Sequence, residues 1–480
     1  MIILISSKIT QSNIQASLGK AEYSYFFLLK EFMPALQQIA EVISVESADQ
    51  VDSLYQQYRA AGEQVFFISV SPPQQTPIDL ECPTICLFAW EFDNVPDESW
   101  EGEPRNDWRY VLQGIAGAIA SSRESADAVR KAMGNSYPVT AIPAPVWSRF
   151  QALMPEGGWT PCRPGRSIEF TGHVIDSPLL GLSADGLVQH MPRPQAPLLV
   201  AAAKSDHSRV GRTRALYHAW REALSNRPSA VARREKPAAP AHSELGAQAL
   251  HACRIELSGV VFTSVLNPRD GRKNWIDIVT AFCWAFSETS DATLILKMTH
   301  HDLEHYRIPL LTLLSRLAPF KCRVLVLHGF LDDQQYRQLI EISDFYVNAS
   351  TCEGLCLPLM EFLASGKPAL APRHTAMLDY VDEQMAYVVK TSVEPSCWAH
   401  DPCGIFRTRK YRLNWQSLME GYRHCHQIAG GDLARYQQMS QHAWHQLREF
   451  SDTPVVAQQV QDFLQGLGSG SEQRLAGAQA

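Results

Sequence analysis

Glu353 and Glu361 are separated by seven residues in the stretch Asn348–Pro368, inside the string Glu-Gly-Leu-Cys-Leu-Pro-Leu-Met-Glu. An ionised carboxylate only accepts hydrogen bonds, so two of them suit a ligand that offers several hydroxyls. Pro358 fits a first helical position, where a missing N–H is harmless, and Gly366 with Pro368 fits the helix end. Gly354, Leu355, Cys356 and Leu357 then form a helix start, whose unpaired N–H groups and dipole attract phosphate. A second cluster, Arg269, Arg272 and Lys273, lies between an apolar run and an apolar helix. Fixed cations there suit an anionic group such as phosphate and stabilise charge that develops on it, with no metal required; the bland alternative is a solvated basic loop. Lys297 ends the run Thr293–Lys297 and is either a further phosphate contact or a strand-end lysine reaching solvent. Glu91 and Asp93 follow Trp90 in Leu87–Pro96. They can bind hydroxyls or help move an acceptor proton, with Trp90 stacking on a sugar ring, or they can simply cap a turn. The pair His300-His301 lacks carboxylates at helical spacing and reads as polar loop, not as a metal site.

The elements that must position these groups alternate. Strands are predicted over Ile2–Ser6, Val42–Val45, Gln64–Val70, Thr84–Ala89, Gly114–Ser121 and Val139–Ile142, with helices over Glu22–Ile39 and Arg123–Met133. Alternation resumes with strands Val260–Leu266, Thr293–Lys297, Arg323–His328, Phe345–Asn348 and Pro368–Ala371. The helices between them are Trp275–Phe286, Arg307–Leu317, Asp332–Ser343 and Pro358–Ser365. Strands alternating with helices predict parallel sheets covered on both faces, with ligands bound beyond the carboxyl ends of the strands.

The expected organisation is a first α/β domain over 1–150, a Pro-rich insertion or linker over 151–257, and a second α/β domain over 258–430. Helices over 431–465 and a disordered tail over 466–480 complete it. The insertion reads as partly structured around Leu198–Leu224, with a linker-like stretch Ser225–Pro240. At 480 residues the chain suits two or three domains, and 45% apolar residues suit a sizeable core. A net charge of -7 gives no bulk attraction to nucleic acid. Eleven scattered cysteines without a disulfide-like spacing point to reduced thiols in the cytoplasm. The apolar start at Met1 reads as a strand, not as a signal peptide, and no run is long enough to span a bilayer, which leaves peripheral membrane contact open.

Glu-Gly-x-x-Leu-Pro-x-x-Glu followed by Ala-x-Gly-x-Pro resembles the signature of the retaining GT-B glycosyltransferases of family four. The resemblance is strong over Val260–Tyr387, moderate over Trp90–Pro145 and absent in the insertion. It implies an α/β GT-B fold: two Rossmann-like, doubly wound parallel-sheet domains facing a cleft, with the last helices returning to the first domain. It implies that Glu353 contacts the donor sugar, that Glu361 binds the ribose hydroxyls, and that the backbone of Gly354, Leu355, Cys356 and Leu357 holds sugar and phosphate. Lys273 matches the family's diphosphate lysine; for its arginine, Asn267 lies nearest the usual place, with Arg269 and Arg272 as neighbours able to replace it. Leu355-Cys356 stands where the family commonly has Phe-Gly, so the Cys356 side chain bears on donor fit. Gly19 resembles the family's glycine loop near the donor phosphate, and Trp90-Glu91 resembles an acceptor-side run.

The implied activity is transfer of a hexosyl-type sugar from a UDP- or GDP-sugar to a glycan or lipid-linked acceptor, in bacterial surface polysaccharide biosynthesis. The implied chemistry is same-face attack without cofactor or metal, in the cytoplasm or at the inner face of the plasma membrane. The alternatives are an epimerase or phosphorylase on the same fold, or a non-catalytic GT-B subunit that binds glycan or a partner.

Overall fold

The computed structural model describes residues 1–6, 23–180, 252–398 and 401–478. Its first sheet is built from β1 (Ile2–Ser6), β2 (Glu41–Ser44), β3 (Val65–Val70), β4 (Thr84–Phe88), β5 (Gly117–Ala120) and β6 (Val139–Ala141). The strands run parallel in the order β2-β1-β3-β4-β5-β6. Ile2–Ile5 and all of β3 are buried, as a parallel sheet covered on both faces requires. Its helices are α1 (Tyr23–Ile39), α2 (Val51–Ala60), α3 (Trp108–Gln113) and α4 (Arg123–Met133), followed by the short α5 (Trp147–Phe150). The strand predicted from Gly114 is shortened because Gly114 closes α3, its N–H bonded to the Val111 carbonyl. Ser122 starts α4 by accepting from the Ser125 N–H.

The region 151–257 departs from the expected insertion or linker. It contains β7 (Arg166–Thr171), β8 (His173–Asp176) and β9 (Ala252–Leu257). β7 pairs antiparallel with β9, and β8 becomes the antiparallel edge of the second sheet beside β12 (Arg323–His328). Short alternating strands such as β7, with Ile168 and Phe170 inward, leave a weaker sequence trace than the continuous apolar strands of a parallel core. The segments Leu198–Leu224 and Ser225–Pro240 lie outside the described residues.

The other strands of that sheet are β10 (Val260–Leu266), β11 (Ala292–Met298), β13 (Phe345–Val347), β14 (Ala369–Pro372) and β15 (Ala386–Val389). The order is β15-β14-β13-β10-β11-β12-β8, and β10 to β15 run parallel. Counted from β10, this is the dinucleotide-binding order 3-2-1-4-5-6, with its switch point between β10 and β13. Its helices are α6 (Trp275–Ala285), α7 (Glu304–Leu317), α8 (Asp333–Ile342) and α9 (Leu357–Ala364). A capping box of Asp332 and Gln335 starts α8. The hairpin β16 (Thr391–Ser396) and β17 (Thr408–Leu413) follows β15.

Three helices end the chain: α10 (Trp415–Gly431), α11 (Leu433–Ser451) and α12 (Thr453–Ala478). The tail expected to be disordered over 466–480 is helical to Ala478; each residue added to a formed helix gains a hydrogen bond at little further ordering. Val456, Val460 and Leu464 of α12 share one apolar cluster with Leu28 and Phe32 of α1. The cluster continues into Leu359, Phe362 and Leu363 of α9, so both sheets and the returning helix close on a common core. Two doubly wound α/β domains thus face one another, the GT-B architecture expected from the sequence. No helix among the described residues is long and apolar enough to cross a membrane, and all eleven cysteines are unpaired.

Candidate active site

The loops leaving β10 and β13 meet at the switch point of the second sheet. After β10, Asp270 caps a single tight turn over Gly271–Lys273 by accepting from the Arg272 N–H at 3.1 Å. After β13, Asn348 folds its side chain back onto the Ser350 N–H at 2.8 Å. The two loops are tied by the Thr351 N–H on the Arg272 carbonyl, 2.8 Å. This geometry brings Lys273 Nζ to 2.6 Å from Glu353 Oε1.

Glu353 is 4% exposed. Oε1 also accepts from Ser350 Oγ at 2.6 Å, and the backbone N–H donates to Thr375 Oγ1 at 3.0 Å. Burial pushes its carboxyl up, but Lys273, Arg272 and the Ser350 hydroxyl outweigh burial and hold it below the usual glutamate range. Burial likewise opposes the charge on Lys273, and the Glu353 carboxylate reverses this and raises it above an ordinary lysine. The pair is therefore held ionised.

Glu361 stands in α9, buried, and accepts a hydrogen bond from Tyr336 of α8. Burial, with the Glu31 carboxylate nearby, pushes its carboxyl up to about 7, while Tyr336, Arg149 and Lys30 pull the other way. Glu31 of α1 is paired with Arg149, which also reaches Asp333 at 2.9 Å, so the neighbourhood of Glu361 draws on both domains.

The helix start between the glutamates is tightly built. Gly354 lies against the first domain: a Cβ there would meet Trp90 N at 2.8 Å and Trp90 C at 3.1 Å. Cys356 precedes α9 at φ 65°, ψ 63°, a left-handed conformation that disfavours a side chain. Asn348 Nδ2 donates to its Sγ at 3.0 Å. The Leu355 carbonyl accepts from Tyr380 Oη at 2.8 Å, and Leu357 opens the helix.

The three cations of the basic loop separate. Lys273 joins Glu353, whereas Arg269 is exposed, its N–H bonded to Asn267 Oδ1. Arg272 holds Asp270 through Nε and Nη2, at 3.0 and 2.8 Å, and pairs through Nη1 with Glu91 of the first domain. Lys297 does not reach solvent: it is 4% exposed, donates to the Met298 carbonyl at 3.2 Å, and burial lowers it to about 7.

On the first domain, the expected open roles of Trp90 and Asp93 are not what the structure shows. Trp90 is buried, its ring 4.4 Å from Trp108 and its Nε1 bonded to the Asn94 carbonyl, so it packs inward and presents no stacking face. Asp93 accepts from Thr408 Oγ1 at 2.9 Å and from Arg409 Nε at 2.8 Å, which ties the first domain to β17. Glu91 stays at the crevice; burial raises its carboxyl despite Arg272. Gly19 lies outside the described residues.

Ser350, Thr375, Tyr336 and Arg149 complete the site and carried no sequence signal, because ordinary polar residues gain meaning only from their partners in space. His374 is similar. It stacks on Tyr411 with ring centroids 4.4 Å apart, contacts Thr375 Oγ1 at 3.2 Å, and burial lowers it to about 4. The His300-His301 pair stacks at 4.4 Å; among the described residues no group of three or more His, Cys, Asp or Glu side chains is placed to hold a metal ion.

No protein-family model matches the chain, and no curated protein sequence matches it. Solved structures similar to it include sucrose-phosphate synthase from Thermosynechococcus elongatus, 13% identical, covering 98% of this chain and 99% of that one, TM-score 0.49. HepE of Anabaena, solved with UDP and glucose, is 12% identical, covering 97% and 99%, TM-score 0.47. TarM of S. aureus, a G117R mutant solved with Fondaparinux, alpha-GlcNAc-glycerol and UDP, is 7% identical, covering 83% and 55%, TM-score 0.45. Similarity this remote leaves function to be argued from the site's own residues.

Proposed function

We propose that this chain is a retaining glycosyltransferase that moves a sugar from a UDP- or GDP-sugar to a glycan or lipid-linked acceptor in the building of a surface polysaccharide. One observation carries the proposal: the cationic loop after β10 and the glutamate loop after β13 converge at the switch point, Lys273 Nζ 2.6 Å from Glu353 Oε1. In this scheme Lys273 and Arg272 neutralise the diphosphate as it leaves, with Lys297 beneath it. The N–H groups of Gly354–Leu357 hold phosphate and sugar, Glu361 takes the ribose hydroxyls, and Glu353 contacts the sugar. The acceptor enters past Glu91 and attacks on the face the diphosphate leaves, a phosphate oxygen taking its proton. The fixed cations perform the charge stabilisation for which a metal would otherwise serve.

The test is a thermal-shift screen of UDP- and GDP-sugars, since a ligand bound only by the folded state raises its melting temperature. Sugar transfer or donor hydrolysis is then measured. Lys273→Ala is expected to lower turnover about 100-fold, and Glu361→Ala to weaken donor binding; unchanged values in both would refute the assignment. Glycan binding without turnover would favour the non-catalytic subunit.

A further inference from the structure

We infer that Glu91 is a built-in competitor for the donor's diphosphate: its carboxylate occupies the Arg272 guanidinium that a phosphate would need. The inference rests on the donor reading above.

Arg272 is held from two sides. Asp270, on its own loop, takes Nε and Nη2; Nη1 goes to Glu91, which arrives from the other domain. The segment that carries Glu91 is wedged at the crevice mouth. The Gly354 backbone lies directly against that of Trp90, close enough that a methyl group would not fit. Asn94 Nδ2 donates to the Arg407 carbonyl at 2.6 Å and Trp398 Nε1 to Asn94 Oδ1 at 3.2 Å, while Asp93 pairs with Arg409. Segment 90–94 therefore bridges the domains at several points, and only Glu91 does so through a group that a phosphate would need.

Glu91, Asp270 and Glu353 are the carboxyl groups that face Arg272 and Lys273, three acids on two cations, and of the three only Glu91 is on balance pushed by burial toward its neutral form. A diphosphate brings further negative charge and cannot settle on these cations unless a carboxylate yields. Asp270 also holds its own loop's N–H, and Glu353 is fixed by Ser350 and Lys273 within the same domain. Among the described residues the Glu91 carboxylate has one ion-pair partner, Arg272, so it is the carboxylate free to swing away. Donor binding then exchanges one anion for another on Arg272, so Glu91 selects for ligands that carry phosphate.

The test uses the full-length protein and Glu91→Gln, which keeps shape and leaves Arg272 paired with Asp270. Affinities for UDP and GDP are measured by titration calorimetry, and for uridine and guanosine by thermal shift at millimolar concentration. A Glu91 carboxylate that holds Arg272 in about nine molecules of ten lowers the apparent affinity of a ligand that needs Arg272 about tenfold, and leaves a nucleoside, which does not need it, nearly unaffected. Glu91→Gln is therefore expected to bind the preferred nucleoside diphosphate about tenfold tighter, with the matching nucleoside changing less than about twofold. If the wild type binds and Glu91→Gln binds no tighter, or if nucleoside and diphosphate gain equally, the competitor role is overturned while the donor reading stands. If neither protein binds either nucleotide, the donor reading falls and the inference with it.

Discussion

Glu361→Gln should raise the melting temperature at pH 8 and leave it nearly unchanged at pH 5. The wild-type carboxyl is shielded from water in α9 and faces Glu31, so it titrates near 7 instead of near 4.5. The folded state thus binds this proton more tightly than the unfolded state. The stability the proton contributes is fully present below about pH 4.5 and is lost as pH rises through about 7. That displacement corresponds to roughly 3 kcal/mol, felt in full above neutrality. Glutamine still accepts from Tyr336 and never ionises, so the variant escapes the penalty: little difference at pH 5, a gain on the order of 5 °C at pH 8. Differential scanning fluorimetry of both proteins across that range is the assay. A difference that does not vary with pH, or one that grows toward acid, would refute the burial argument for Glu361.

Gly354→Ala should destabilise the closed arrangement by about 1–3 kcal/mol, because the new methyl meets backbone that has no room to move; small-angle scattering should show a larger radius of gyration. At Cys356 the left-handed backbone predicts an unusual order, with Cys356→Gly more stable than Cys356→Ala by about 1 kcal/mol in thermal unfolding. Arg166 and Asp344 form a buried ion pair at 2.8 Å, and Asp344 also accepts from the Val261 N–H. Arg166→Met should therefore cost about 3–5 kcal/mol, seen as a large fall in melting temperature.

Much of the second domain was legible because its strands are continuous apolar runs between turns: β10 and β12 have the predicted bounds. The hairpin β16–β17 was not, since Thr-Arg-Lys-Tyr-Arg-Leu has a mostly polar, half-exposed surface with no core-facing period to detect. At the site, the two glutamates stood out through their spacing around a glycine-bounded helix, and Lys273 through its place in a basic loop after an apolar run. What spacing could not show was orientation. Trp90 turns into a cluster with Trp108 and Phe92, and Asp93 finds Arg409 far along the chain. The sequence singles out Cys356 for its side chain; the structure adds that φ there is positive, where glycine is preferred.

The antiparallel strand β8 decides where this polypeptide can be cut. Without it, β12 would be the outermost strand, and the backbone groups that now pair Leu325–His328 with His173–Asp176 would be left open as a template for self-association. A recombinant fragment begun at residue 258 would carry that sticky margin and would also lose Arg166, the counter-ion of Asp344. One begun at residue 159 retains both, together with the Trp159 indole that anchors to the Ser365 carbonyl. Dissection of the second domain should therefore start within the segment that sequence alone marks as spacer, not after it.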